Sequence, residues 1–208
     1  MGEKKSKQKR KNQRQLIYSA PLDGQRVYYQ LTLSGARLLG ASPKRAAAFG
    51  RISVIRRYAL QWFLCLEGSC NRIYIPPKDI NQGFPSIAAR LPQPNFYKAK
   101  HKDNRQVLGY AVVDYGSDSR RVATRLATKL NLFEERESFN GLIAKQAFEA
   151  TILTYRESKK RGIASRLSKH LITEDGIPYF KTTGNRLVPV KTVVVDRMEP
   201  LLLDPRKS

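Results

Sequence analysis

The stretch that decides the fold is VLGYAVVDYGSDSRRVATRLATKLNLF, Val107–Phe133. Its first nine residues, Val107–Tyr115, are mostly apolar, the pattern of a strand buried on both faces. Then the period changes. Val122, Leu126, Leu130 and Phe133 recur at steps of three and four, which is a helical stripe, and Asp118 or Ser119 stands where an N-cap belongs. Phe148–Tyr155, FEATILTY, repeats the strand, and Glu157–His170 repeats the helix with Ile163 and Leu167 inward. Val188–Asp196 supplies a third strand, with a short hairpin partner around Tyr179–Thr182. Strand, helix, strand, helix, strand predicts an α/β domain over residues 107–208, of small three-layer type, with a mainly parallel sheet and right-handed crossovers. An α+β arrangement is the alternative.

Ahead of this domain the chain reads in three parts. Residues 1–15, MGEKKSKQKRKNQRQ, hold seven basic residues and one acid with no apolar side chain after Met1, so this arm is expected to be disordered when free. Residues 16–67 begin with a hairpin, Leu16–Ala20 and Arg26–Leu31, turned by Asp23-Gly24. Thr32 or Ser34 caps a small helix holding Arg37, Leu38 and Leu39, and Gly35 and Ala36 let it pack closely. From Pro43 to Leu66 the period is helical, with Ile52, Ile55, Ala59, Trp62 or Phe63, and Leu66 as the buried stripe and Gly50 as a point of division. Trp62 and Cys65 are expected in the core. Residues 68–106 carry many prolines and few clear periods, so they are expected to connect the halves as loop, with Ile73–Ile75 as a short strand.

Charge bounds the function. Thirty-nine Lys and Arg against seventeen Asp and Glu give +22 over 208 residues. A chain gains nothing from that self-repulsion unless its partner is a polyanion. The basic residues fall in groups: Lys4, Lys5, Lys7, Lys9, Arg10, Lys11 and Arg14 in the arm; Arg26 at the hairpin; Lys98, Lys100, Lys102 and Arg105 beside Phe96 and Tyr97; Arg120, Arg121, Arg125 and Lys129 on one helix; Lys159 and Lys160, with Arg161 and Arg166, on the next. The two helices are expected to share one positive outer surface, opposed in the first of them by acids only at Glu134, Glu135 and Glu137. Phe96 and Tyr97 could pin a loop or stack on bases.

Chemistry is sparse. No phosphate-cradling glycine loop, zinc-protease motif or serine elbow is present. Cys65 and Cys70 lack a second pair of metal ligands, and His101 and His170 stand apart, so no cofactor or metal is expected and the protein reads as non-enzymatic. Asp114 closes the first strand and would be one ligand of a metal-dependent nuclease site, but Glu149 is followed by Ala150 and Thr151, not by the spacer and lysine such a site needs. With no signal segment and no spanning run, a cytoplasmic setting is expected.

The hairpin running into Leu31-Thr32-x-x-Gly35-Ala36-x-Leu38-Leu39 resembles the wing end of the plasmid replication-relaxation family, winged-helix DNA-binding proteins of mobile elements. That resemblance implies a DNA-binding regulator or accessory factor in replication, mobilisation or transcription control, with a nuclease-like α/β half as scaffold or dimer platform. A winged helix sets three helices before its wing, whereas fifteen residues precede Leu16, so contact is expected to fall to the arm and to Arg26. The partner expected is DNA, with a homodimer or larger nucleoprotein assembly open. An RNA-binding component of a ribonucleoprotein is the first alternative, and the nuclease the second.

Overall fold

A computed structural model describes residues 16–21, 27–46, 50–65, 71–83, 95–101 and 104–202. The chain divides into two units, residues 1–54 and 55–208.

In the first unit β1 (Ile17–Pro21) and β2 (Val27–Leu31) form an antiparallel hairpin, with Ile17 opposite Leu31 and Pro21 opposite Val27. Helix α1 (Leu33–Leu38) follows at once, capped by the Thr32 hydroxyl, which accepts from the Gly35 N–H at 3.1 Å. A Cβ on Gly35 would run into the Leu16 carbonyl, so glycine lets the helix sit on the hairpin. The helix stops at Gly40, in the left-handed region at φ 61°, with Ala41 N–H bonded to Ala36 and Gly40 N–H to Arg37. That is the Schellman closure. Tyr28 is half-buried and Tyr29 exposed, so neighbouring tyrosines of β2 face opposite ways. A 3₁₀ turn, Pro43–Ala46, ends before Gly50, and α2 (Arg51–Cys65) begins after it.

The second unit is built on a seven-stranded sheet in the order β3-β4-β5-β6-β9-β8-β7. Its strands are β3 (Arg72–Tyr74), β4 (Phe96–Lys100), β5 (Gln106–Val113), β6 (Phe148–Thr154), β7 (Leu171–Glu174), β8 (Ile177–Lys181) and β9 (Leu187–Val194). The helices are α3 (Pro77–Gly83), α4 (Ser119–Glu134), α5 (Glu137–Ala144), α6 (Glu157–Leu167) and α7 (Glu199–Leu202). Only β5, β6 and β9 run parallel; the other four pairings are antiparallel. The sheet is therefore mixed, not mainly parallel. An apolar run reports burial on both faces and says nothing of strand direction.

One face carries α4, α5 and α6. The expected stripe of α4 is buried there, and Phe133 stands amid Phe96, Tyr110, Phe139 and Phe148, with ring centroids 4.9–5.7 Å away. On the opposite face, Phe63 of α2 makes a T-shaped contact with Tyr97, ring centroids 5.0 Å apart. Helices on both faces make three layers.

Several expectations change. Residues 68–106 are not a connection: they contribute β3, α3 and β4, and α2 runs on into the second unit. Phe96 and Tyr97 are 0% and 1% exposed, so neither can stack on a base. Phe63, not Trp62, is the fully buried ring of α2, while Cys65 and Ile52 are exposed. No helix among the described residues is long and apolar enough to cross a membrane.

Candidate nucleic-acid interface

The parallel strands β5 and β6 finish side by side, and a helix starts beside each end. Residues between β5 and α4 are held by Asp114, whose Oδ1 accepts from the N–H groups of Gly116 and Ser117 at 3.0 and 3.1 Å. Its Oδ2 accepts from the Thr154 hydroxyl, at the end of β6, at 3.0 Å. The carboxylate thus ties two strand ends together below the rim. Asp118 caps α4 by accepting from Arg120 N–H at 3.0 Å.

Cations gather above. The capping bond from Arg120 N–H holds the Asp118 carboxyl below its ordinary range, and the charges of Lys159, Arg166 and Arg121 act in the same direction. So Arg121 of α4 and Lys159 and Arg166 of α6 lie around one helix start. Gly162 permits that approach, since a Cβ there would press on Ser119. Among the described residues, Arg120, Arg121, Lys129, Lys159, Arg161 and Arg166 form no ion pair, whereas Lys160 pairs with Glu157 at 3.5 Å. Arg125 differs from its neighbours. Its guanidinium turns inward, donating to Val113 O at 3.1 Å and Ser117 Oγ at 3.3 Å, with Tyr115 5.4 Å away.

The acids that would neutralise α4 are spent elsewhere. Glu134 is buried and accepts from Thr182 Oγ1 at 2.5 Å and Gly184 N–H at 2.8 Å, stapling the turn between β8 and β9. Glu135, at the C-cap of α4, and Glu137, which opens α5, are exposed at the far end of α4 from the rim. Arg56 of α2, on the opposite layer, comes near enough to Tyr115 to offset part of the rise that burial imposes on its phenol. Sequence reasoning had no means of joining it to the rim.

Lys98, Lys100 and Arg105 belong to a different place. They lie where β4 turns into β5, at the start of β5, and Arg105 donates to Gln146 O. An eight-residue strand separates them from the rim by about 25 Å. Among the described candidate residues, those of α4 and α6 and those at the β4–β5 turn thus occupy two separate places. Lys4, Lys5, Lys7, Lys9, Arg10, Lys11, Arg14, Arg26 and Lys102 lie outside the described residues.

Asp114 can be assigned by substitution. Burial pushes its carboxyl above the ordinary 3.8, against the opposing pull of Thr154, Lys159 and the two N–H groups. Asp114→Asn keeps an acceptor for Gly116 and Ser117 and is expected to change stability by less than about 1 kcal/mol at neutral pH, while Asp114→Ala costs about 1–3 kcal/mol. Because the folded carboxyl holds its proton more tightly than the unfolded one, wild type gains on the Asn variant as pH falls through the interval above 3.8, and loses that gain as pH rises through it. Denaturant melts of both across that interval check the sign. Among the described residues no three of His, Cys, Asp and Glu come together as a metal site would require.

No protein-family model matches the chain, and no curated protein or solved structure matches it.

Proposed function

We propose that the chain binds nucleic acid, duplex DNA first, with the rim formed by the starts of α4 and α6 as a principal contact. One observation carries this. A helix start is the positive end of its dipole, where cations are unfavourable by about 0.3–1 kcal/mol each and anions are favoured. Yet α4, after its Asp118 cap, opens with Arg120 and Arg121 and no further acid. With Arg156 at its N-cap position, α6 sets Lys159 and Lys160 in its first turns against the single acid Glu157, which pairs with Lys160. Stability alone would place these charges at the other ends. A phosphate chain laid across both starts would meet helix N–H groups and unpaired guanidinium and ammonium groups together.

The arm and Arg26 add sequence-independent attraction. The finer role, an accessory or regulatory factor of a mobile element, is supported by the wing-like Leu31–Leu39 stretch. Nothing in this arrangement reads base edges, so affinity is expected to depend on backbone charge more than on sequence.

The test is a salt titration of duplex binding by fluorescence anisotropy. Log affinity should fall linearly with log salt, at about 0.9 for each phosphate neutralised, over about 50–200 mM. Affinity that ignores salt would remove the proposal. Duplex RNA competing on equal terms would move the assignment to a ribonucleoprotein component.

A further inference from the structure

Among the described residues, eight of the twelve large hydrophobic residues standing exposed fall between Leu16 and Ile52. Four of them, Ile17, Val27, Tyr29 and Leu33, are on or beside the hairpin, and Tyr29 is 71% exposed. A two-stranded hairpin is at best marginal on its own and needs further strands or a covered face. Buried positions in this unit amount, among the described residues, to Gln30, Gly35 and Ala36.

Register shows which edge is open. Thr32 N–H donates to Leu16 O at 3.0 Å, so the antiparallel alternation makes Tyr18–Gln30 and Ala20–Tyr28 the bonded pairs. The N–H and C=O groups of Val27, Tyr29 and Leu31 therefore point away from β1, and β2 pairs with no other described strand. The corresponding edge of β1 includes Pro21, which brings no N–H.

We infer that β2 pairs with β2 of a second copy, antiparallel about a twofold axis through Tyr29. The five residues Val27-Tyr28-Tyr29-Gln30-Leu31 are self-complementary under that axis. Val27 meets the partner's Leu31, Tyr29 meets the partner's Tyr29, and all six side chains fall on one face, opposite buried Gln30. The result is a four-stranded sheet with an apolar face extended outward by Ile17. Charge favours a second copy over a phosphate chain at this strip. In a chain of net charge +22 these five residues carry no charge, and no Lys or Arg lies within the strand to guard its edge. Two copies can meet there without opposing cations, while nucleic acid finds nothing to pair with.

The same charge sets a distinctive dependence. Elsewhere the copies repel, and salt screens that repulsion over a Debye length that shrinks from about 10 Å at 0.1 M to 3 Å at 1 M. Self-association should tighten as salt rises, the reverse of nucleic-acid binding, so the inference stands or falls apart from the proposed function. Sedimentation velocity of nuclease-treated full chain across that range reads it. The expected result is a monomer–dimer equilibrium shifting to dimer with salt, and a fully monomeric Tyr29→Lys variant whose duplex affinity is not lowered. Tyr29→Pro removes an outward N–H without touching a β1–β2 bond and should also be monomeric. A chain that is monomeric at every salt, a dimer that both variants leave intact, or duplex binding lost with Tyr29→Lys would overturn it.

Discussion

Replacing Arg120, Arg121, Lys159 and Arg166 together by serine is expected to weaken duplex DNA binding about a thousandfold at physiological salt, the largest effect on function that the rim predicts. Each neutralised phosphate contributes about 0.9 to the log–log salt slope, which near 0.15 M is worth about 0.7 log units relative to 1 M. Four contacts then give close to three. The slope itself should fall by about 3.6. Stability should move the other way: relieving Arg120 and Arg121 of the positive helix end is expected to raise it by a few tenths of a kcal/mol, about the lower bound of the dipole effect. A variant that binds poorly yet melts no earlier than wild type separates lost contact from lost fold. Serine at Lys98 and Lys100, at the far end of β5, is expected to leave affinity within about threefold. Equal losses from both variants would mean that total charge, not its placement, governs binding.

That contrast could be drawn only with coordinates. Val107–Phe133 was legible because two strong periods meet there and Asp118 caps their junction, each a local property. The same holds for the hairpin, whose Thr32 cap and Gly35 follow from neighbours in sequence. Direction is not local. Nothing in Phe96–Lys100 shows that it pairs antiparallel with β5, and five residues among prolines and lysines are too few for a period to emerge. Side-chain fate is less local still. Arg121 and Arg125 are chemically alike and a turn apart, yet one faces solvent unpaired and the other closes the loop over Val113 and Ser117. Glu134 reads as a surface acid opposing α4, until Thr182 and Gly184 in the turn between β8 and β9 claim it. The rim was visible as composition but not as a place, because the charge of Arg166 acts on Asp118 only through the packing of α6 on α4.

Gly109→Ala is expected to be the most damaging small substitution in the sheet, costing about 3 kcal/mol or more. Gly109 lies directly opposite Tyr97 across the β4–β5 pair, and the Tyr97 ring crosses over it where a Cβ would stand. The ring cannot yield. Its hydroxyl donates to Glu149 Oε1 at 2.8 Å and lies 2.7 Å from Thr151 Oγ1, and Phe63 packs against it from α2 in a T-shaped contact. Backing away would break those bonds around a buried carboxylate, whose other oxygen is 3.0 Å from His101 Nε2. Gly141→Ala provides the opposite sign: this glycine is exposed within α5 with open space where the methyl would go, so about 0.5–1 kcal/mol of stabilisation is expected. Combining Gly109→Ala with Tyr97→Leu isolates the contact. The double variant should be less destabilised than the sum of the singles by more than about 1 kcal/mol, since the added methyl occupies part of the volume that the ring vacates. Strict additivity in equilibrium urea melts would place the cost of Gly109→Ala elsewhere, in the backbone of β5 and not against the ring.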